Sequence, residues 1–223
     1  MTNYFLRQIQ LWGEETQMRL RSKKVVIIGA GGLGSSLTYA LGSCGLGELH
    51  IVDFDEVALH NIHRQISFVM GDEGKSKAKL NAEVVTKRSP YTKAIAYNIG
   101  FEEWSKKDIN VDIIIDATDN LETRSAIDEY AKEKNLPWIY GSVEAFHGQV
   151  AFIENSSFNS AFKIAPTNSE GVATPIVMHI ASLQANLALR YLANLPIKKE
   201  LLYYLFFNNE GELVTQKFSL PTT

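Results

Sequence analysis

Apolar residues in this chain form short runs that are separated by glycine-rich turns and by segments of helical period. The runs at residues 25–28 and 111–116 are rich in valine and isoleucine and end at a glycine or an acidic residue. Such runs are typical of strands buried on both faces of a parallel sheet. Helical patterns near residues 33–44, 75–88 and 121–134 follow such strands. This alternation predicts an α/β fold, a Rossmann-like, mostly parallel sheet flanked by helices.

The C-terminal side has a different pattern. The apolar run at residues 147–154 follows the fifth predicted strand after a short loop, which favours antiparallel pairing. A long helix is predicted at 174–195, and a strand pair, residues 201–207 and 212–220, closes the chain. We therefore predict one domain, residues 1–223, with antiparallel strands at its C-terminal side. Its parts are an N-terminal helical segment (1–22, interrupted at Gly13), a nucleotide-binding core (23–154), a crossover loop (155–174) and a helix with the strand pair (175–223).

The composition of the chain mainly excludes some classes of protein and of binding site. The chain has 223 residues, a formal net charge of -3 and a single cysteine. This charge does not indicate binding to nucleic acid or to a membrane surface. One cysteine excludes an intrachain disulfide framework and a zinc site built from several cysteines. The N-terminus lacks the apolar core of a signal peptide, and polar residues interrupt the apolar stretch at 176–195, so a cytoplasmic protein is expected.

A glycine-rich turn follows the first predicted strand. Residues 29–34 read Gly-Ala-Gly-Gly-Leu-Gly, a helical pattern follows, and Asp53 ends the next strand about 20 residues further on. Glycines let backbone N–H groups approach a phosphate, and the acid can accept hydrogen bonds from ribose hydroxyls. The pattern predicts nucleotide binding through Gly29, Gly31, Gly32, Gly34 and Asp53, but leaves the nucleotide open.

Basic residues after Asp53 favour phosphate chemistry. Arg64 and Lys77 follow the strand that ends in the ribose-binding acid, at the sheet edge where α/β folds bind ligands. Two cations beside a polyphosphate suit phosphate transfer, whereas a nicotinamide enzyme has no evident use for them. His60 and His63 lack a carboxylate or cysteine at a spacing that would complete a metal site.

Carboxylates also follow the fourth predicted strand. Asp116 ends that strand and Asp119-Asn120 comes three residues later. Oxygen ligands at this edge suit Mg²⁺, which one or two carboxylates and substrate phosphates hold. The alternative role for Asp119-Asn120 is an N-cap for the helix at 121–134. One of the two can cap while the other binds metal.

These motifs together resemble the ThiF/MoeB/HesA family, bacterial relatives of the ubiquitin-activating enzymes. Six motifs occur in the family's order and near its spacing, and the resemblance extends over nearly the whole chain. They are Arg7-Gln8-Ile9, the glycine turn of residues 29–34, Asp53-Phe54-Asp55, Asn61-Ile62-His63-Arg64-Gln65, Gly74-Lys75-Ser76-Lys77 and Asp116-Ala117-Thr118-Asp119-Asn120.

The resemblance implies an enzyme that uses ATP and Mg²⁺ to adenylate the C-terminal Gly-Gly carboxylate of a small ubiquitin-like sulfur-carrier protein. The resemblance further implies a homodimer in which Arg7 reaches the partner's site, and it assigns Mg²⁺ to Asp119. The catalytic residues it implies are Arg7, Arg64, Lys77 and Asp119. The residues it implies for the nucleotide are Gly29, Gly31, Gly32, Gly34, Asp53, Asp55, Asn61, Arg64, Gln65 and Lys77.

The chain also departs from the family. Where many members have two CxxC pairs, this region holds Phe162 and Lys163, so no zinc is expected. The crossover segment contains no cysteine for a covalent carrier intermediate, and Cys44 lies at the far end of the glycine-turn helix, where a core role is expected. We therefore predict adenylation without a transfer cysteine.

Three alternatives stay open from the sequence. The first is an adenylating enzyme for a carboxylate on a tRNA base or a peptide. The second is a partner-dependent activating-enzyme subunit that does not itself transfer, although Arg64, Lys77 and Asp119 are all retained. The third is an NAD oxidoreductase, which would need a hydride-transfer residue that the sequence does not indicate.

Overall fold

An eight-stranded sheet runs through the computed structural model, which describes residues 3–162 and 171–222. The strand order is β3-β2-β1-β4-β5-β6-β7-β8. The strands are β1 (Lys24–Ile28), β2 (Glu48–Val52), β3 (Lys93–Tyr97), β4 (Ile113–Asp116), β5 (Trp138–Glu144), β6 (His147–Ile153), β7 (Leu201–Phe207) and β8 (Leu213–Ser219).

Strand direction divides the sheet into two halves. The pairs from β3 through β5 are parallel, whereas β5–β6, β6–β7 and β7–β8 are antiparallel. This confirms the predicted fold class. In the parallel half, the chain runs from β1 outward to β2 and β3 on one side and then crosses from β3 to β4 on the other side of β1, so the strand order reverses at β1. A crevice forms at such a point, outside the carboxyl ends of the strands.

Helices cover both faces of the sheet and mostly begin near their predicted positions. They are α1 (Leu6–Leu20), α2 (Gly32–Gly42), α3 (Lys77–Arg88), α4 (Phe101–Ser105), α5 (Leu121–Lys134), α6 (Phe158–Ala161) and α7 (Thr174–Leu192). The break predicted at Gly13 is a kink inside α1, where φ is +80°. The α3 helix begins two residues later than predicted because the Ser76 hydroxyl caps it, accepting from the Lys79 N–H.

The predicted crossover loop contains the short helix α6, which the sequence did not indicate. Phe158 on α6 is buried and packs against the rings of Trp138 and Tyr140. Residues 163–170 of that loop, Lys163 among them, lie outside the described residues.

The uninterrupted apolar runs are explained by two cores, one on each face of the sheet. On β1, Val25 and Ile27 face the core formed with α2 and α7, and Val26 and Ile28 face the core that contains Trp104. No side of β1 is therefore left for a polar residue. In the described part of the chain, the helices are too short or too polar to cross a lipid bilayer.

Candidate active site

A cavity of about 450 Å³ opens at the carboxyl ends of β1, β2 and β4. It brings together most of the site residues that the sequence indicated. Those that line it are Gly29, Gly31, Gly32, Asp53, Asp55, Arg64, Gln65, Lys77 and Asp119. Gly34, Asn61 and Arg7 are not among its lining residues.

The glycine turn forms one wall of the cavity from main chain alone. Gly29 has φ +97°, and a Cβ there would lie 2.6 Å from the carbonyl oxygen of Ala117. A Cβ on Gly32 would lie 2.8 Å from the Val177 side chain, and one on Gly34 would overlap the Gly29 carbonyl. Gly34 therefore shapes the turn without facing the cavity. Backbone N–H groups at the start of a helix suit an anionic ligand.

Asp53 lies beside this turn, directly after β2. Its Oδ2 accepts from the Ala30 N–H at 2.6 Å and its Oδ1 accepts from the Asp55 N–H at 2.7 Å. Burial raises the pKa of the Asp53 carboxyl, while the two N–H bonds and the nearby Lys77 act in the opposite direction. Both donors are main-chain groups, so the carboxylate is held in place at the cavity wall.

Two cations line the same cavity. Lys77 is the first residue of α3, and its side chain, 8% exposed, donates to Asp55 Oδ2 at 2.8 Å. Arg64 is held by its own loop: Nη1 donates to the His60 carbonyl at 3.0 Å and lies 2.8 Å from His63 Nε2. The cavity thus has positive charge on the side of the β2–α3 connection.

Of the two roles that the sequence allowed for Asp119-Asn120, the structure shows the cap, and Asn120 makes it. Asn120 Oδ1 accepts from the Thr123 N–H at 2.7 Å and so caps α5. Asp119 is exposed at the cavity, and within residues 3–162 and 171–222 it makes no ion pair. Histidine, cysteine and acidic side chains of these residues form no group of three that could hold a metal. A single free carboxylate fits Mg²⁺, which takes its other ligands from phosphates and water.

Sequence reasoning missed Arg124 and misjudged Asp116. Asp116 is fully buried, and Arg124 Nε donates to its Oδ2 at 3.1 Å. Burial raises the pKa of the Asp116 carboxyl, and the Arg124 charge opposes this. Asp116 is therefore bound within the protein and is not available to Mg²⁺. The sequence held no local signal for this role, because Arg124 is one of several charges on α5 and its partners at residues 140 and 141 come from β5.

Asn61 and Arg7 lie away from the cavity lining, as does Cys44, for which a core role is expected. Asn61 is buried, and its Oδ1 accepts from the Ala58 N–H at 3.1 Å. Arg7 is exposed on α1 and donates to Gln10. Burial raises the pKa of the Cys44 thiol to about 11. The thiol contacts the carbonyl oxygen of Ala40, which agrees with the expected packing role.

Curated relatives with similar sequences are adenylyltransferases. One is "Adenylyltransferase and sulfurtransferase MOCS3" of Caenorhabditis briggsae, 31% identical over 214 residues, which cover 90% of this chain and 53% of the relative. Another is "Sulfur carrier protein adenylyltransferase" of Thermus thermophilus, 31% identical over 149 residues, which cover 66% of this chain and 55% of the relative. The chain thus spans about half the length of these relatives.

Solved structures with the same fold include PaaA and Escherichia coli MccB. PaaA has a TM-score of 0.84 at 19% identity, covering 98% of this chain and 73% of PaaA. MccB with ATP has a TM-score of 0.83 at 19% identity, covering 99% of this chain and 72% of MccB. At this identity the likeness concerns the fold alone. The model of the ThiF family matches residues 5–222, and the chain therefore belongs to the ThiF family.

Proposed function

We propose that this chain is an ATP-dependent adenylyltransferase that acts on the C-terminal Gly-Gly carboxylate of a small ubiquitin-like sulfur-carrier protein. The observation that carries the proposal is the convergence of the glycine turn, Asp53, Arg64, Lys77 and Asp119 on one cavity. The adenylyltransferase names of the two curated relatives support the same reaction class.

The residues divide the work by charge. The Asp53 carboxylate accepts hydrogen bonds from the ribose, and the N–H groups of the glycine turn face phosphate. Lys77 and Arg64 stabilise the negative charge that grows on the α-phosphate as the carrier carboxylate attacks and pyrophosphate leaves. To bind phosphate, the Lys77 ammonium group must give up part of its contact with Asp55. The buried Gln65 has a side-chain oxygen without a hydrogen-bond partner among the described groups, which supports a polar contact with the ligand.

Bound Mg²⁺ would neutralise phosphate charge, and Asp119 is the side chain that would hold it. This chain's contribution is to present that carboxylate at the cavity without an ion pair to any residue that the structure describes. Asn61 supports the Arg64 loop through its contact with Ala58, and a phosphate contact from it requires a side-chain movement. Zinc and further cofactors are not part of the proposal.

The proposed enzyme transfers nothing through its own cysteine. The pKa of the only cysteine, Cys44, is about 11, so the thiol is protonated and unreactive near neutral pH. The activated carrier is handed to a separate sulfur donor or acceptor. A cytoplasmic location is part of this proposal, because the enzyme must meet both the carrier protein and the sulfur donor there.

A homodimer with shared sites is also proposed. Gln8 and Gln17 donate to the Cys44 carbonyl and hold α1 at the C-terminal end of α2, whereas the cavity lies at the N-terminal end. The 11 residues of α2 place roughly 16 Å between these ends. An Arg7 that contacts nucleotide is therefore expected to do so in another copy of the chain.

The test is ATP–pyrophosphate exchange by the purified chain, with each small Gly-Gly-ending protein from the same organism. Exchange is expected with one carrier, and it should vanish when the carrier lacks its last glycine or when the enzyme carries Asp119→Ala. Cys44→Ala is the matched variant that retains exchange. In the same assay, a mixture of Arg7→Ala and Asp119→Ala chains should recover part of the activity that each lacks alone.

Contrary outcomes separate the alternatives. Exchange driven by a peptide or tRNA carboxylate and by no carrier would move the function to those substrates. ATP binding without exchange would indicate a subunit that depends on a partner. Tight binding of NAD instead of ATP, measured by cofactor fluorescence, would overturn adenylation altogether.

A further inference from the structure

Arg124 is a buried cation that connects three chain segments beside the cavity. Its side chain is 7% exposed. Besides the bond from Nε to Asp116, Nη2 donates to the carbonyl oxygens of Thr118 at 2.7 Å and Gly141 at 3.1 Å. The guanidinium carbon lies 5.2 Å from the centre of the Tyr140 ring. One side chain therefore holds the end of β4, the loop after it and β5.

The loop after β4 is fixed from both sides at Thr118. The Thr118 N–H and hydroxyl donate to Asp116 Oδ1 at 2.9 and 2.7 Å, and the Thr118 carbonyl accepts from Arg124. The next residue, Asp119, reaches the cavity, and Asn120 begins the cap of α5. Asp119 is thus bounded on one side by the Arg124 network and on the other by a capped helix.

We propose that Arg124 is a positioning residue for Mg²⁺-dependent ATP binding, acting through Thr118 to hold the Asp119 carboxylate at the cavity edge. The inference rests on the proposed function. Arg124 also lines the cavity, and its charge attracts the Asp119 carboxylate, but as a cation it is not itself a metal ligand. Its Nε and Nη2 bind three acceptors, and one of them, the Thr118 carbonyl, belongs to the peptide bond that leads to Asp119.

Lysine at this position separates charge from geometry. An ammonium group still compensates the Asp116 carboxylate, but it lacks the planar fork that lets arginine donate to several acceptors at fixed angles. Arg124→Lys should therefore keep the buried charge paired while it loosens the Thr118 carbonyl. Groups that orient a metal ligand in this way change metal affinity by roughly 10–100-fold when they are altered.

The experiment is calorimetric titration of ATP into the full chain, with Mg²⁺ and with chelator. In the unaltered chain Mg²⁺ is expected to tighten ATP binding. Arg124→Lys should reduce this Mg²⁺-dependent gain in ATP affinity roughly tenfold. The ATP affinity measured with chelator should change little. Arg190→Lys is the matched control, because Arg190 is exposed on α7 and donates to the Pro196 carbonyl outside the cavity. Added to Asp119→Ala, Arg124→Lys should have no further effect on the gain.

An unchanged Mg²⁺ gain in Arg124→Lys would overturn the inference, as would an equal loss of affinity with and without Mg²⁺. The inference would also be overturned if Mg²⁺ left the ATP affinity of the unaltered chain unchanged. If Arg124→Lys does not fold, the double variant Arg124→Gln with Asp116→Asn decides, since it removes both buried charges together with the arginine's donation to the Thr118 carbonyl and should reduce the Mg²⁺ gain by a similar factor. The titration uses no carrier protein, so failure of the exchange assay would reject the proposed reaction and leave this result standing.

Discussion

Two carboxylates lie at the ends of β2 and β4, the strands on either side of β1, and their surroundings differ. Asp53, after β2, accepts hydrogen bonds from two main-chain N–H groups and faces the cavity. Asp116, at the end of β4, is fully buried and binds Arg124 and Thr118. Asp53 is held by main-chain groups and not by a buried arginine, so its carboxylate can bind a ligand. Asp116 is committed to the fold.

A position at the carboxyl edge of a sheet therefore does not by itself make an acidic residue available to a bound molecule. From the sequence, Asp53, Asp116 and Asp119 all follow apolar strands and look alike. What separates them is the partner that reaches each one in space. Substitutions that remove one acid at a time should therefore affect different properties.

Asp116→Asn should give the largest effect, and on stability. Without the carboxylate charge, Arg124 is a buried cation that has lost the one acid to which it is hydrogen-bonded, and breaking such a pair costs about 3–5 kcal/mol. The free energy of unfolding in urea should fall by about that amount. Asp112→Asn, which alters the partly exposed pair of Lys23 and Asp112, is the control with a much smaller loss. Equal losses in the two variants would mean that the buried Asp116–Arg124 pair matters no more to stability than the partly exposed pair.

Asp53→Ala should give the next effect, and on ligand binding. Hydrogen bonds to a charged group contribute about 1.5–3 kcal/mol, so the dissociation constant for ATP should rise about tenfold or more. The loss of stability should stay near 1 kcal/mol, because two main-chain donors lose an acceptor beside an open cavity. Calorimetric titration and urea unfolding measure the two quantities. A variant with unaltered ATP affinity and a large loss of stability would place Asp53 beside Asp116 as a structural acid.

The pH dependence of stability should give the smallest effect. Because burial raises the pKa of folded Asp53 above its ordinary value near 4, the folded chain retains that proton after the unfolded chain has lost it. The contribution of Asp53 to stability therefore declines as pH rises through that window and is level above it. Asp53→Asn does not titrate, so the stability of the unaltered chain relative to this variant should decrease from about pH 4 upward. A relative stability that increased over this range would mean that the folded-state pKa is lowered.

The parallel half of the fold and the glycine turn could be predicted because their signals are local. An apolar run, a glycine turn, a helical stretch and an acid follow one another within residues 24–53, and each step depends on its neighbours in sequence. The same holds for Asn120, whose capping role is readable from its place before a helix. Strand ends then place Asp53 and Asp119 at one edge of the sheet.

Arg124 could not be predicted because its environment is assembled from distant segments. In sequence it is one charge among several on α5, and an exposed helix charge is the ordinary expectation. Its burial depends on Gly141 and Tyr140 of β5, which reach it only once the sheet has formed. The contact between Lys77 and Asp55 is similar, since 22 residues separate them. Likewise, α6 is stabilised by Phe158 against β5, so its sequence alone resembles a loop.

The glycine turn has a consequence for chemical inhibition. Its wall of the cavity consists of main chain, and added methyl groups at Gly29, Gly32 or Gly34 would meet Ala117, Val177 or the turn itself. A compound that gains its affinity from these N–H groups contacts main-chain atoms that a change of side chain leaves in place, unless the new residue is proline, which lacks the N–H. Escape mutations against it would have to arise elsewhere, among exposed lining residues such as Phe54. The turn therefore marks the part of the cavity where drug resistance has the fewest genetic routes.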